Sequence, residues 1–94
     1  MKTIYLKDII SDTYTNASGY QLLLHLQPLF ADNVPFIFSF KDSPPPSTSF
    51  LNSSFGELID LYGLDKFKSL VKFHDLSPTL VVYLKNYFST FSGT

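Results

Sequence analysis

The run Val34-Pro35-Phe36-Ile37-Phe38-Ser39-Phe40 constrains this chain more than any other segment. Val34, Phe36, Phe38 and Phe40 fall on one side of an extended backbone and Ile37 on the other, an alternation with the period of a strand. Apolar side chains on both sides imply a central strand covered above and below. Pro35 stands near the start, where a missing ladder donor is tolerated. Asp32-Asn33 turns the chain before the run. After it, Lys41-Asp42-Ser43-Pro44-Pro45-Pro46 forms a stiff loop, because each proline drives its predecessor into extended geometry.

The flanking segments supply partners for that strand. Thr3 to Ile10 is β-branched and aromatic and reads as a first strand, broken by the polar run Ser11 to Asn16. Ser18-Gly19-Tyr20-Gln21 has the spacing of a capping box, so a first helix is expected to begin there and to kink or end near Gln27, where Pro28 removes a hydrogen bond. Ser47, Thr48 and Ser49 are candidate caps for a second helix, whose apolar residues Leu51, Phe55, Leu58, Ile59 and Tyr62 recur until Gly63. Gly56 in its interior costs about 1 kcal/mol against alanine, so the small patch Ser53, Ser54, Gly56 implies a close neighbour. Leu70 to Phe73 reads as a third strand near an edge. Ser77-Pro78 then opens a third helix through Val81, Leu84, Phe88 and Phe91. The expected fold is α/β, with βαβαβα order and a small, mainly parallel sheet covered by helices. It is a single domain over residues 1–94, with an N-terminal strand and loop at 1–16 and a fraying tail at 89–94.

Composition narrows the function more than it names one. The 94 residues are 45% apolar and 16% charged, which suits one packed core. Cysteine is absent, so disulfides, thiolate metal sites and a cysteine nucleophile are excluded. No apolar run approaches the roughly 18 residues of a membrane span and no secretory leader pattern opens the chain, so a soluble cytoplasmic protein is expected. All seven basic residues are lysines, scattered from Lys2 to Lys85, and the net charge is -1. That distribution argues against nucleic acid and anionic membrane as partners. His25 and His74 lack a third metal ligand and no glycine-rich loop precedes a helix, so neither a metal nor a cofactor is expected. Nucleophile, base and oxyanion donors do not assemble from the visible residues, which reads as a non-enzymatic chain.

Geometry selects one region nonetheless. In parallel sheets, ligands and partners meet the carboxyl ends of the strands, so the loop from Asp42 to Ser49 belongs to the functional edge. Its hydroxyls stand at a helix start, where unpaired N–H groups favour an anion or a phosphorylated side chain. Ser47, Thr48 and Ser49 are therefore candidates, with the plainer reading that one of them is only the cap. Phe50 beside them is a candidate exposed anchor, and Asp42 and Ser53 complete the surface.

The run FIFSFKDSPPPSTSFLNSSFGELIDLYG, an apolar strand, a short loop and a Ser-x-Ser-Phe helix start ending in Leu-Tyr-Gly, resembles STAS-like domains of unknown function from bacteria and their mobile elements. These are distantly similar to anti-sigma factor antagonists. The resemblance spans about residues 18–88. It implies a regulatory interaction module that docks a histidine-kinase-like ATPase or sigma-factor regulator through the start of the second helix. Antagonists of this kind are switched by phosphorylation of a serine in an Asp-Ser-Ser-Gly run. Laid on this chain, the run matches Ser47, Thr48, Ser49 and Phe50, so Ser49 corresponds to the phosphoacceptor, while Ser47 replaces the acid and Phe50 the glycine. A second reading is a sensor that binds a small anionic ligand or nucleotide at the same helix N-terminus.

Overall fold

The computed structural model describes residues 1–92. Strand β1 covers Lys2–Tyr5 and passes into a single 3-10 turn, Leu6–Asp8. Helix α1 spans Asn16–Ala31, and β2 spans Phe36–Ser39. A continuous helical rod follows, made of α2 (Thr48–Leu51), a π-helical segment (Asn52–Gly56) and α3 (Glu57–Tyr62). Helix α4 (Leu64–Leu70) leads directly into β3 (Val71–His74), and α5 (Pro78–Ser92) closes the described chain.

The sheet is parallel and in chain order, β1-β2-β3, so the phenylalanine-rich strand is central as its pattern predicts. Parallel strands take right-handed crossovers, and two such crossovers in the same direction place both connecting layers on one face. The burial pattern follows. Phe36 and Phe38 are fully enclosed and align with Ile4, Val71 and Phe73 on the helix-covered side. On the other side Thr3, Tyr5, Lys72 and His74 are exposed and Ile37 is half-buried. Cover on one face, with the second open around Ile37, replaces the expectation of helices above and below.

Local chemistry moved several boundaries. The first strand is shorter than Thr3–Ile10, since the chain tightens after Tyr5 to bury Leu6. The cap of α1 is Thr15, whose Oγ1 accepts the Ser18 N–H at 3.2 Å; Ser18 lies inside the helix, buried, with its hydroxyl donating to Asp12 at 2.9 Å. The expected capping box at Ser18 is thus displaced by one turn. Pro28 does not end α1. It is exposed, and Leu24, the residue whose carbonyl it leaves unbonded, has its side chain on the solvent side, where water can serve the freed acceptor. Gly63 ends α3 with φ of 91°, a conformation that favours glycine, and its N–H bonds the Ile59 carbonyl at 2.7 Å. Helix α4 has no counterpart in the predicted order. Of the tail expected to fray, residues 89–92 are helical, and 93–94 lie outside the described residues.

The core between helices and sheet is aromatic. Phe55, from the π segment, has ring centroids of Phe38, Phe67 and Phe73 within 5.4, 5.4 and 5.6 Å, and Phe30 reaches Phe36 at 6.2 Å. Most of these pairs meet edge to face or tilted, the arrangement that ring quadrupoles favour.

Candidate functional site

The loops that leave β1 and β2 meet at the carboxyl end of the sheet. Their junction is held by main chain and capping hydroxyls. The Ser47 N–H donates to the Thr13 carbonyl at 2.9 Å, and the Ser47 hydroxyl donates to the Tyr14 carbonyl at 2.9 Å. The same Ser47 Oγ accepts the Phe50 N–H at 3.1 Å, which makes Ser47 the cap of α2, a role worth about 1 kcal/mol. Prolines 44 to 46 carry the chain stiffly from the sheet to this cap, and the Thr13 hydroxyl donates to the Pro45 carbonyl at 3.5 Å. Lys7 and Asp42, both exposed, pair across the gap at 3.1 Å. Asp42 has φ of 59°, in the left-handed region that Asp tolerates better than most residues.

Between these loops lies a cleft of about 610 Å³, bounded by Lys7, Asp12 and Tyr14 on one wall and Asp42, Ser43 and Pro44 on the other. The Asp12 carboxylate accepts N–H bonds from Tyr14 and Thr15 and hydroxyl bonds from Thr15 and Ser18. Desolvation alone would raise its pKa, but those hydrogen bonds together outweigh it and hold the carboxyl below its ordinary value. Ser43 Oγ is enclosed against the cleft without a hydrogen-bond partner. At the neighbouring strand ends, the Ser39 hydroxyl donates to the Asp75 carboxylate and accepts the Lys41 N–H at 3.1 Å, which ties β2 to the turn after β3.

The candidate hydroxyls separate by environment. Ser47 is committed to capping. Thr48 is exposed, with its Oγ1 at 3.4 Å from the Tyr83 hydroxyl. Ser49 is exposed, and its hydroxyl has no hydrogen bond among the described residues, although its carbonyl accepts the Ser53 hydroxyl at 3.0 Å. Ser53 is half-buried and also donates to Asn16 Oδ1 at 3.1 Å. Phe50 is not an exposed anchor: it is fully buried, on the apolar stripe of the rod that faces the core with Leu51, Phe55, Leu58 and Ile59. The small patch has a neighbour, and it is internal. A Cβ on Gly19 of α1 would stand 2.6 Å from the Phe50 carbonyl oxygen, and one on Gly56 would stand 2.8 Å from the Tyr87 hydroxyl. His25 and His74 lie on α1 and β3, both exposed, and the described residues hold no cluster of three or more His, Asp or Glu able to take a metal ion.

Helix α5 secures the rod from the other side. Thr48 and Asn52, one turn apart, face Tyr83 and Tyr87, also one turn apart, and the Tyr87 hydroxyl donates to Asn52 Oδ1 at 2.8 Å. Burial, and then the charges of Asp60 and Tyr83, push the Tyr87 hydroxyl up to about 12. A raised acid is held neutral in the folded state, so its contribution to stability is whole below about pH 10 and is lost as pH rises through about 12. A spectrophotometric titration is expected to show a tyrosine ionisation at about pH 12 that Tyr87→Phe removes. A titration left unchanged there by Tyr87→Phe would refute this packing.

Residues 11–14 form the far wall of the cleft, where the sequence shows only a polar break after the first strand. Asp12 followed by Thr15 was the available signal, since a short acceptor a few residues before a helix is a capping pattern. A family model described as a STAS-like domain of unknown function matches residues 18–80, from the first turn of α1 to the first turn of α5. No curated protein and no solved structure matches the chain.

Proposed function

The chain belongs to the family of STAS-like domains of unknown function, and on that basis we propose that it is a regulatory module that docks a histidine-kinase-like ATPase through the loop from Asp42 to Ser49 and the start of α2. The observation that carries this reading is the state of Ser49. Of the three hydroxyls at the helix start, it alone is exposed and unengaged, while Ser47 caps the helix and Thr48 faces Tyr83. A phosphoryl group on Ser49 would add nearly two negative charges at a contact surface without removing a bond that holds the fold. Asp42, earlier in the same loop, is already paired with Lys7.

Ser49→Asp is expected to lose partner capture, and Ser49→Ala to keep it, with melting temperatures within a few degrees of the parent chain. Affinity capture with each of the three baits, joined to intact-mass analysis of the recovered bait, reads partner and phosphate together. Equal capture by the Asp and Ala forms would eliminate the switch. A second reading, a sensor for a small polar ligand, is supported by the unpartnered hydroxyl of Ser43 against the cleft. A nucleotide or phosphate ligand would raise the melting temperature by mass action, whereas a module that only docks protein would stay flat in the same screen.

A further inference from the structure

Strand β3 forms the last strand of the sheet, and its outer side is unpaired among the described residues. The Phe40 N–H bonds the His74 carbonyl at 3.3 Å, so His74 and, by alternation, Lys72 direct their main-chain groups toward β2. Those of Phe73 therefore point outward. Beside this edge runs an apolar groove of about 290 Å³, lined by Phe67 of α4, Val71 and Phe73 of β3, and Val81, Leu84 and Phe88 of α5. Lys68 and Lys85 also line it, and Lys72 is exposed on the strand itself. None of the three is ion-paired among the described residues. The groove shares no lining residue with the cleft at the candidate site.

From these features we propose that the β3 edge is a second docking surface, which takes an extended acidic peptide of a partner protein as a fourth strand. Main-chain bonds to Phe73 would supply the pairing, apolar side chains on one side of the peptide would fill the groove, and acidic ones on its other side would meet Lys72, within the positive field of Lys68 and Lys85 at the groove. A second copy of this chain is a poor occupant, since edge-to-edge pairing of two β3 strands would bring two sets of these lysines together.

The probe is a fluorescently labelled peptide of alternating glutamate and valine, about seven residues long, the span of an ordinary strand. Its counterpart carries lysine in place of glutamate. Saturable anisotropy is expected with the acidic peptide alone, together with slowed amide exchange at Phe73. Lys72→Glu is expected to weaken binding by about tenfold or more, and the site is exposed, so its fold should be retained. Equal binding of the basic peptide, absence of binding by the acidic one, protection confined to residues outside β3, or concentration-dependent dimers that pair through β3 would each overturn the proposal. Ser49→Asp leaves this binding unchanged if the two surfaces are separate, so failure here and failure of the Ser49 switch are read independently.

Discussion

Gly19→Ala is expected to lower the stability of this protein by about 2 kcal/mol, against the helix propensity that favours alanine by about 1 kcal/mol. The added methyl would lie 2.6 Å from the Phe50 carbonyl oxygen and 2.8 Å from the Ser53 Cβ. Neither can yield cheaply. The Phe50 oxygen is main chain and already accepts the buried Ser54 hydroxyl at 2.8 Å, so α1 and the rod must separate as units. Gly56→Ala makes the informative contrast, because the atom it would meet is the tip of the Tyr87 side chain, which can swing aside. Urea titration should rank Gly19→Ala well below Gly56→Ala, and a Gly19→Ala protein as stable as the parent would show that the two helices do not cross so closely. Phe50 adjoins Ser49, so the same substitution is also expected to weaken partner capture.

Phe55→Ala should cost still more, about 4 kcal/mol, within the usual range for a buried aromatic. Its ring is wholly enclosed and touches β2 through Phe38, α4 through Phe67, β3 through Phe73 and α5 through Phe88, so its removal opens a void that no single neighbour can fill. A domain of this size holds about 5–15 kcal/mol in all, and each kcal/mol moves its melting temperature by about 4–8 °C. Circular dichroism should place the variant about 20 °C below the parent. A fall of only about 5 °C would mean that the cluster relaxes around the gap or that Phe55 lies outside it.

What could be read in the sequence was whatever depends on short-range period and on capping chemistry. The alternation of Phe36, Phe38 and Phe40 placed the central strand, and the three candidate caps Ser47, Thr48 and Ser49, of which Ser47 is the one used, bounded the rod together with Gly63. The same chemistry misled at Ser18, because the Ser-x-x-Gln pattern satisfies a cap rule that Thr15, already hydrogen-bonded to Asp12, satisfies first. Features that depend on distant partners were beyond reach. Phe50 is buried in a core assembled from several elements, and Gly19 matters only because Phe50 and Ser53 cross it. Helix α4 was hidden by its length, since seven residues between Gly63 and the strand carry too little period to distinguish a helix from a loop. In the candidate site, Ser49 is singled out in sequence only by the motif it resembles. Its exposure, the absence of a bond to its hydroxyl among the described residues, and the wall built by Thr13 and Tyr14 were not legible.

The sheet keeps its strands in the order in which they are made, and that bears on how the molecule assembles. Each crossover joins neighbours, so β1, α1 and β2 can close as one unit before the rod and β3 add to it, with no strand inserted between two already paired. Growth from a single side keeps the loops to be closed short, which favours rapid folding. It also leaves the first and the last strand with one paired neighbour each, and at such edges the ladder opens more readily, and exchanges its amide protons sooner, than at the central strand.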